Sequence, residues 1–129
     1  MKVLLINKYS ASDGDLFPWS FKANKIGKVI GTRTWGGIVG ISGPLPYMDD
    51  TDVRVPFFTN FDAKTGQWIV ENHGVDPDIL IDNDPIKEQM GEDQQLNKAI
   101  EVIMQELKDR KPLPKVPAPR TFKDLGLKQ

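Results

Sequence analysis

A serine stands in a short polar turn, Tyr9-Ser10-Ala11-Ser12-Asp13-Gly14-Asp15, directly after the apolar run Val3-Leu4-Leu5-Ile6. A buried strand that ends in a tight turn and opens into a helix can push a serine hydroxyl out beside the backbone amides of the helix start. A nucleophile and an oxyanion pocket can both be built at such a place. The same letters admit a plainer reading. Ser-x-x-Asp ahead of an apolar helix is a capping pattern, in which Ser12 or Asp15 satisfies helix-start amides. The Gly-x-Ser-x-Gly of a nucleophile elbow is absent, and pattern alone favours the cap.

Few other residues offer chemistry. There is no cysteine and one histidine, His73. Disulfides, thiolate ligands and cysteine nucleophiles are excluded, and a multi-histidine metal site cannot be assembled from one chain. Asp76, Asp78, Asp82 and Asp84 form an acidic loop that lacks calcium-loop spacing and is broken by Pro77 and Pro85, so turn formation accounts for it. Gly36, Gly37, Gly40, Ser42, Gly43 and Pro44 make a glycine-rich stretch without the Gly-Lys-Ser/Thr of a phosphate loop. It either lets a bound peptide lie close to the backbone or simply turns the chain. No metal and no cofactor are expected.

The elements that must position these residues follow from periodicity. Val3–Ile6 reads as a buried strand, and Asp15–Asn24 as an amphipathic helix whose start is set by Pro18 and whose end is set by Gly27. Lys28–Arg33 reads as a second strand. Strand, helix and strand over about thirty residues make a βαβ crossover. Ile38–Ile41, Val53–Phe58 and Trp68–Glu71 are short strand-like runs that suggest an added antiparallel layer, with Asp62–Gly66 as a hairpin loop. Ile79–Ile81 is a further extended run. Leu96, Ala99, Ile100, Ile103, Met104 and Leu107 hold a helical period from Asp93 to Asp109 and are expected to face a core. Four prolines between Lys111 and Pro119 give a semi-rigid tail, inert or fitted to an aromatic groove.

At 129 residues the chain is one domain or part of one. Its 39% apolar and 27% charged fractions are those of a globular protein, and a net charge of −1 leaves no footprint for nucleic acid or an anionic membrane. Met1–Ile6 is too short an apolar run for a signal peptide, and no stretch approaches the roughly twenty apolar residues of a membrane span.

Tyr9–Asp15, Gly31-Thr32-Arg33-Thr34-Trp35-Gly36-Gly37 and Glu71-Asn72-His73-Gly74-Val75-Asp76-Pro77-Asp78 resemble, in order and spacing, the last part of the tricorn catalytic domain. Tricorn proteases are a branch of the C-terminal-processing (tail-specific) serine peptidases. The likeness runs from about Val3 to Leu107. It implies an α/β fold of the ClpP/crotonase kind, with residues 1–110 as the C-terminal half of a catalytic core. That half would hold a βαβ crossover, a mixed sheet and a C-terminal helix, followed by a Pro-rich extended tail over 111–129.

The resemblance also assigns roles. Ser12, the second serine of Ser-Ala-Ser, maps onto the nucleophile, and the Asp13 amide onto one oxyanion-hole donor. Some members of the family activate the serine with a lysine that ends Thr-Phe-Gly-Lys. Thr34-Trp35-Gly36-Gly37 carries Gly37 there, which excludes that dyad. The tricorn branch uses a Ser–His–Ser–Glu tetrad, in which Glu71 matches the glutamate that orients the second serine. Gly36 and Gly37 would let substrate backbone lie beside Ser12. His73 falls at the following turn rather than in the tetrad. The tetrad histidine, the second serine and the other oxyanion glycine lie, by resemblance, farther upstream than the eleven residues before Ser12.

The expectation is therefore a serine peptidase acting on peptides through an acyl-enzyme on Ser12 and silent as this isolated chain. The upstream half of the same domain or another subunit would complete it. It would be a cytoplasmic homo-oligomer without nucleic-acid or membrane partners. The rival is a non-catalytic peptide-binding or assembly module on the same crotonase-like sheet.

Overall fold

Val3–Ile6 forms the first strand, β1, as its unbroken apolar run dictates. The computed structural model describes residues 1–41, 45–121 and 124–126, and Ser42, Gly43 and Pro44 of the glycine-rich stretch lie outside them. Helix α1 runs Asp13–Ala23, two residues earlier than Pro18 suggests. The Ser12 carbonyl accepts from both the Asp15 and Leu16 amides, at 2.9 and 3.0 Å, so helical bonding begins in the turn itself. Pro18 thus sits inside the helix, where it can supply no N–H to the Gly14 carbonyl. The helix closes before Gly27, with Lys25 at φ 51 and the Ile26 amide bonded back to the Phe21 carbonyl at 3.0 Å. That is the left-handed C-terminal turn usually given to glycine.

Strand β2, Lys28–Gly31, pairs in parallel with β1, Val3 facing Lys28 and Ile6 facing Gly31. It stops short of Arg33 because the chain leaves the ladder at Gly31. Five further short strands follow: β3 Gly40–Ile41, β4 Leu45–Pro46, β5 Asp52–Val53, β6 Pro56–Phe58 and β7 Ile79–Leu80. β7 joins β2 in parallel, giving a three-stranded sheet of order β1-β2-β7. The antiparallel additions are two small ladders, β3 with β6 and β4 with β5. Trp68–Glu71 is not a strand. Trp68 makes a single bridge to Phe61 across the Asp62–Gly66 loop, and residues 70–73 turn.

The core follows from β2. Val29 and Ile30 are adjacent and both fully buried. Neighbouring strand residues point to opposite faces, so both faces of the sheet are covered there. On one face Val29 packs with Ile6 and Phe21 of α1, and Leu4 lies against them. The other face needs its own cover, and helix α3 (Gln94–Lys108) packs against the same two strands, with Ala99 buried. Asp93 caps α3 by accepting from the Leu96 amide at 2.9 Å, which matches the predicted start. The predicted apolar stripe is only partly core. Leu96, Ile100, Met104 and Leu107 are 41–55% exposed. A short helix, α2 (Pro85–Gln89), was hidden in the acidic loop, its amides at Ile86 and Lys87 capped by Asp84. The Asp-Pro pair that starts it is the signal that could have shown it. From Arg110 to Thr121 the chain has no regular structure and is exposed, as four prolines require.

A clasp holds the sheet to α1. The Asp78 carboxylate accepts from the Val29 amide at 2.8 Å and meets Lys22 Nζ at 3.2 Å, while the Asp78 amide donates to the Val29 carbonyl at 2.7 Å. Desolvation pushes the Asp78 carboxyl up, but the Val29 amide and the Lys22 and Lys28 charges outweigh it and hold it below 3.8, the ordinary aspartate value. A carboxyl lowered on folding stabilises the fold above that ordinary value, and the contribution is lost as pH falls through the lowered one. Asp78→Asn should therefore flatten the decline of the urea midpoint below about pH 4. Parallel acid profiles for the two proteins would remove Asp78 from the account.

Candidate active site

Ser12 stands between β1 and α1 in a strained conformation, φ 59 and ψ −112. Those angles lie outside the left-handed helical region and cost a non-glycine residue about 1–3 kcal/mol. Surrounding bonds hold the turn. Ser10 N donates to the Asn7 carbonyl at 2.9 Å, Asn7 N to Ser10 Oγ at 3.1 Å and Tyr9 N to Asn7 Oδ1 at 2.9 Å. The Ser12 amide donates to Asp15 Oδ2 at 3.0 Å, so Asp15 does the capping. This is one half of a capping box whose other half turns the Ser12 side chain toward the Asp15 amide; the hydroxyl makes no close cap hydrogen bond there and is exposed. Asp13 is the first helical residue, so its N–H has no acceptor within the helix. An exposed hydroxyl on a strained strand-to-helix turn, next to an unspent amide, is the geometry of a nucleophile elbow without its glycines.

Asp15 is fully buried and ties this turn to the loop after β2. Its Oδ1 accepts from Gly36 N at 2.8 Å, and its Oδ2 from Gly37 N at 3.2 Å as well as from Ser12 N. The Trp35 amide adds a bond to the Ser10 carbonyl at 2.9 Å. Glu71 continues the pattern. Its Oε2 accepts from Ile38 N at 2.7 Å and Val39 N at 2.9 Å. Four consecutive amides of an irregular loop, Gly36 to Val39, are thus satisfied by two carboxylates. This answers where a buried loop without a ladder sends its hydrogen bonds.

The predicted site residues therefore fall on one connected frame: Ser12 and Asp13 at the turn, Gly36 and Gly37 on the loop, Glu71 across from it. Gly36 is needed inside the protein, and Gly37 is crowded only by the exposed Trp35 ring. Gly36 has φ 88, and a Cβ there would come within 3.0 Å of the His73 amide nitrogen, while one on Gly37 would strike the Trp35 ring. With their amides bonded to Asp15, what the two glycines can offer a ligand is close approach. Glu71 is flanked by strained backbone, Val70 at φ 66 and Asn72 at φ 61. The turn is secured by Gly74 N and His73 N on the Val70 carbonyl, at 2.7 and 2.9 Å, and by Asn72 N on the Gly36 carbonyl, at 2.8 Å. His73 is held in its own turn, where Nε2 meets Asp76 Oδ2 at 2.7 Å. The acidic loop holds no cluster of metal ligands among the described residues.

Two residues were undervalued by pattern reading. Pattern alone makes Asp15 a cap, and its bonds to Gly36 and Gly37 have no local signature. Thr34 is buried, its Oγ1 accepting from Val75 N at 2.7 Å while its amide donates to the Val75 carbonyl at 3.2 Å. This pair locks the loop to the segment after Glu71.

Asp15→Asn replaces one acceptor oxygen by a donor that faces backbone amides. It is expected to lower stability by about 2–4 kcal/mol. Glu71→Gln, at a half-buried position, should cost roughly 1–2 kcal/mol. Urea denaturation compares them, and a neutral Asp15→Asn would refute the frame.

The family model described as Peptidase family S41 matches residues 2–81. The Tricorn protease of Thermoplasma volcanium is 44% identical over 109 residues, 84% of this chain and 10% of that protein. A chain of Sulfurisphaera tokodaii, provisionally named a Tricorn-like protease C-terminal subunit, is 42% identical over 108 residues, 84% of this chain and 12% of that one. The crystal structure of the tricorn protease superposes with a TM-score of 0.75 at 42% identity, covering 82% of this chain and 10% of that one. The chain spans about a tenth of the length of the relatives it matches. No helix among the described residues is long and apolar enough to cross a membrane.

Proposed function

This chain belongs to peptidase family S41, and from that premise we propose that it carries the nucleophile-bearing part of a tricorn-like serine peptidase. In this reading Ser12 attacks the scissile carbonyl of a peptide and forms the acyl-enzyme, and the Asp13 amide stabilises the oxyanion. Gly36 and Gly37 give the substrate room to lie against the loop, and Glu71 orients the second serine. The observation that carries the reading is the exposed Ser12 hydroxyl on a strained turn buttressed by Asp15.

The 129 residues hold a single imidazole, and it is tied to Asp76. We therefore take the base and the second serine from another part of the peptidase, either the upstream half of the same domain or another subunit. The exposed stripe of α3 supports association of this kind, including a homo-oligomer. The cytoplasm is the compartment that goes with this reading. The rival, a binding or assembly module, draws support from Glu71, whose Oε2 already holds the Ile38 and Val39 amides.

Intact-mass analysis after fluorophosphonate treatment separates the two. The chain alone should gain no adduct. Mixed with Thermoplasma volcanium tricorn protease lacking its matching segment, it should gain one adduct that is lost in Ser12→Ala. Association without any adduct would favour the module and overturn the peptidase.

A further inference from the structure

A cleft of about 380 Å³ opens just beyond the C-terminal ends of β1 and β2. Lys8, Thr32, Arg33, Trp35, Asn72 and Asp82 line it, together with Thr34 and His73. In open α/β sheets this end of the strands is where ligands bind, and the volume suits one or two residues of a peptide. Two of its walls are segments tied down by hydrogen bonds. Lys8 lies in the turn closed by Asn7 and Ser10, four residues before Ser12, and the Thr32–Trp35 wall is held by Thr32 N on the Ile6 carbonyl at 3.1 Å and Trp35 N on the Ser10 carbonyl at 2.9 Å.

Its charge is uneven. Lys8 and Arg33 are cationic, and among the described residues neither belongs to an ion pair. The four pairs found use Lys22, His73, Lys87 and Lys98. Lys8 Nζ rests 5.4 Å from the Tyr9 ring centre, which fixes its direction without neutralising it. His73 is occupied by Asp76, so Asp82 is the one acidic side chain in the lining that opposes the two cations. Thr32 and Asn72 add neutral hydrogen-bonding groups, and Trp35 an exposed aromatic wall. Two unpaired cations beside side-chain donors suit a carboxylate, and an arginine can grip both its oxygens.

We propose that this cleft binds a peptide carboxylate, from an Asp or Glu side chain or a free C-terminus, close to the bond presented to Ser12. The assignment of that ligand as substrate rests on the peptidase reading. The test is calorimetric titration of the full chain carrying Ser12→Ala with three peptides of one neutral sequence. One has a free C-terminus, one is its amide, and one is the amide with a single internal Glu. At least one carboxylate peptide should bind about tenfold more tightly than the neutral amide, and the tighter of the two identifies the source. Arg33→Gln and Lys8→Gln should each weaken that peptide about two- to fivefold, and Asp82→Asn should strengthen it by a similar factor. None of the three should change the neutral amide, and circular dichroism confirms that each variant is folded. Carboxylate peptides that bind no better than the amide, or bind equally well to Arg33→Gln and Lys8→Gln, overturn the proposal. The fluorophosphonate adduct keeps the two readings apart. An adduct without carboxylate preference removes only the cleft, whereas preference without an adduct keeps the cleft and removes the peptidase.

Discussion

Asp15 places three backbone amides on one buried carboxylate, and two of them come from a loop 21 and 22 residues away. Removed from water, a carboxylate is tolerable only when its lone pairs are filled, and an irregular loop is tolerable only when its amides are filled. Each solves the other's problem. The turn around Ser12 and the loop from Gly36 are consequently one body, and neither can adopt its geometry alone. Glu71 extends that body by two residues, and Thr34 and Val75 close it from behind.

This arrangement explains how non-glycine residues persist at unfavourable backbone angles. Ser12, Val70 and Asn72 all have positive φ; Ser12 is bonded to Asp15, which the loop at Gly36 and Gly37 holds, Val70 accepts from the His73 and Gly74 amides, and Asn72 donates to the Gly36 carbonyl. Strain that is over-determined in this way is typical of positions where a side chain must be aimed. It concentrates here on the two sides of the carboxylate-bound loop and not in the sheet or in α3.

The regular elements could be read from the chain because their causes are local. Val3–Ile6 is an apolar run, and α3 keeps a helical period between Asp93 and Asp109, so both lie within a residue of the reading. Proline's local preference puts the start of α1 two residues late, because it does not report the Ser12 carbonyl, which accepts two amides. α2 lies inside an acidic stretch that masks it, although Asp84 and Pro85 alone explain it. The serine turn was visible, and so was its likeness to a known branch of peptidases. The frame behind it was not. Bonds between Asp15 and Gly36, or between Glu71 and Ile38, span 21 and 33 residues, and no periodicity or dipeptide preference reports them. Nor could spacing reveal that Lys8 and Arg33 share a cleft.

Helix α3 turns one flank to the sheet and leaves Leu96, Ile100, Met104 and Leu107 open to water. Surfaces of this kind are what cellular surveillance reads as incomplete folding. A chain that displays one is tolerated for as long as something covers it and is cleared when nothing does. The amount of this protein present in a cell would then follow the supply of whatever buries that helix, and its stoichiometry would be set by degradation of the excess as much as by synthesis.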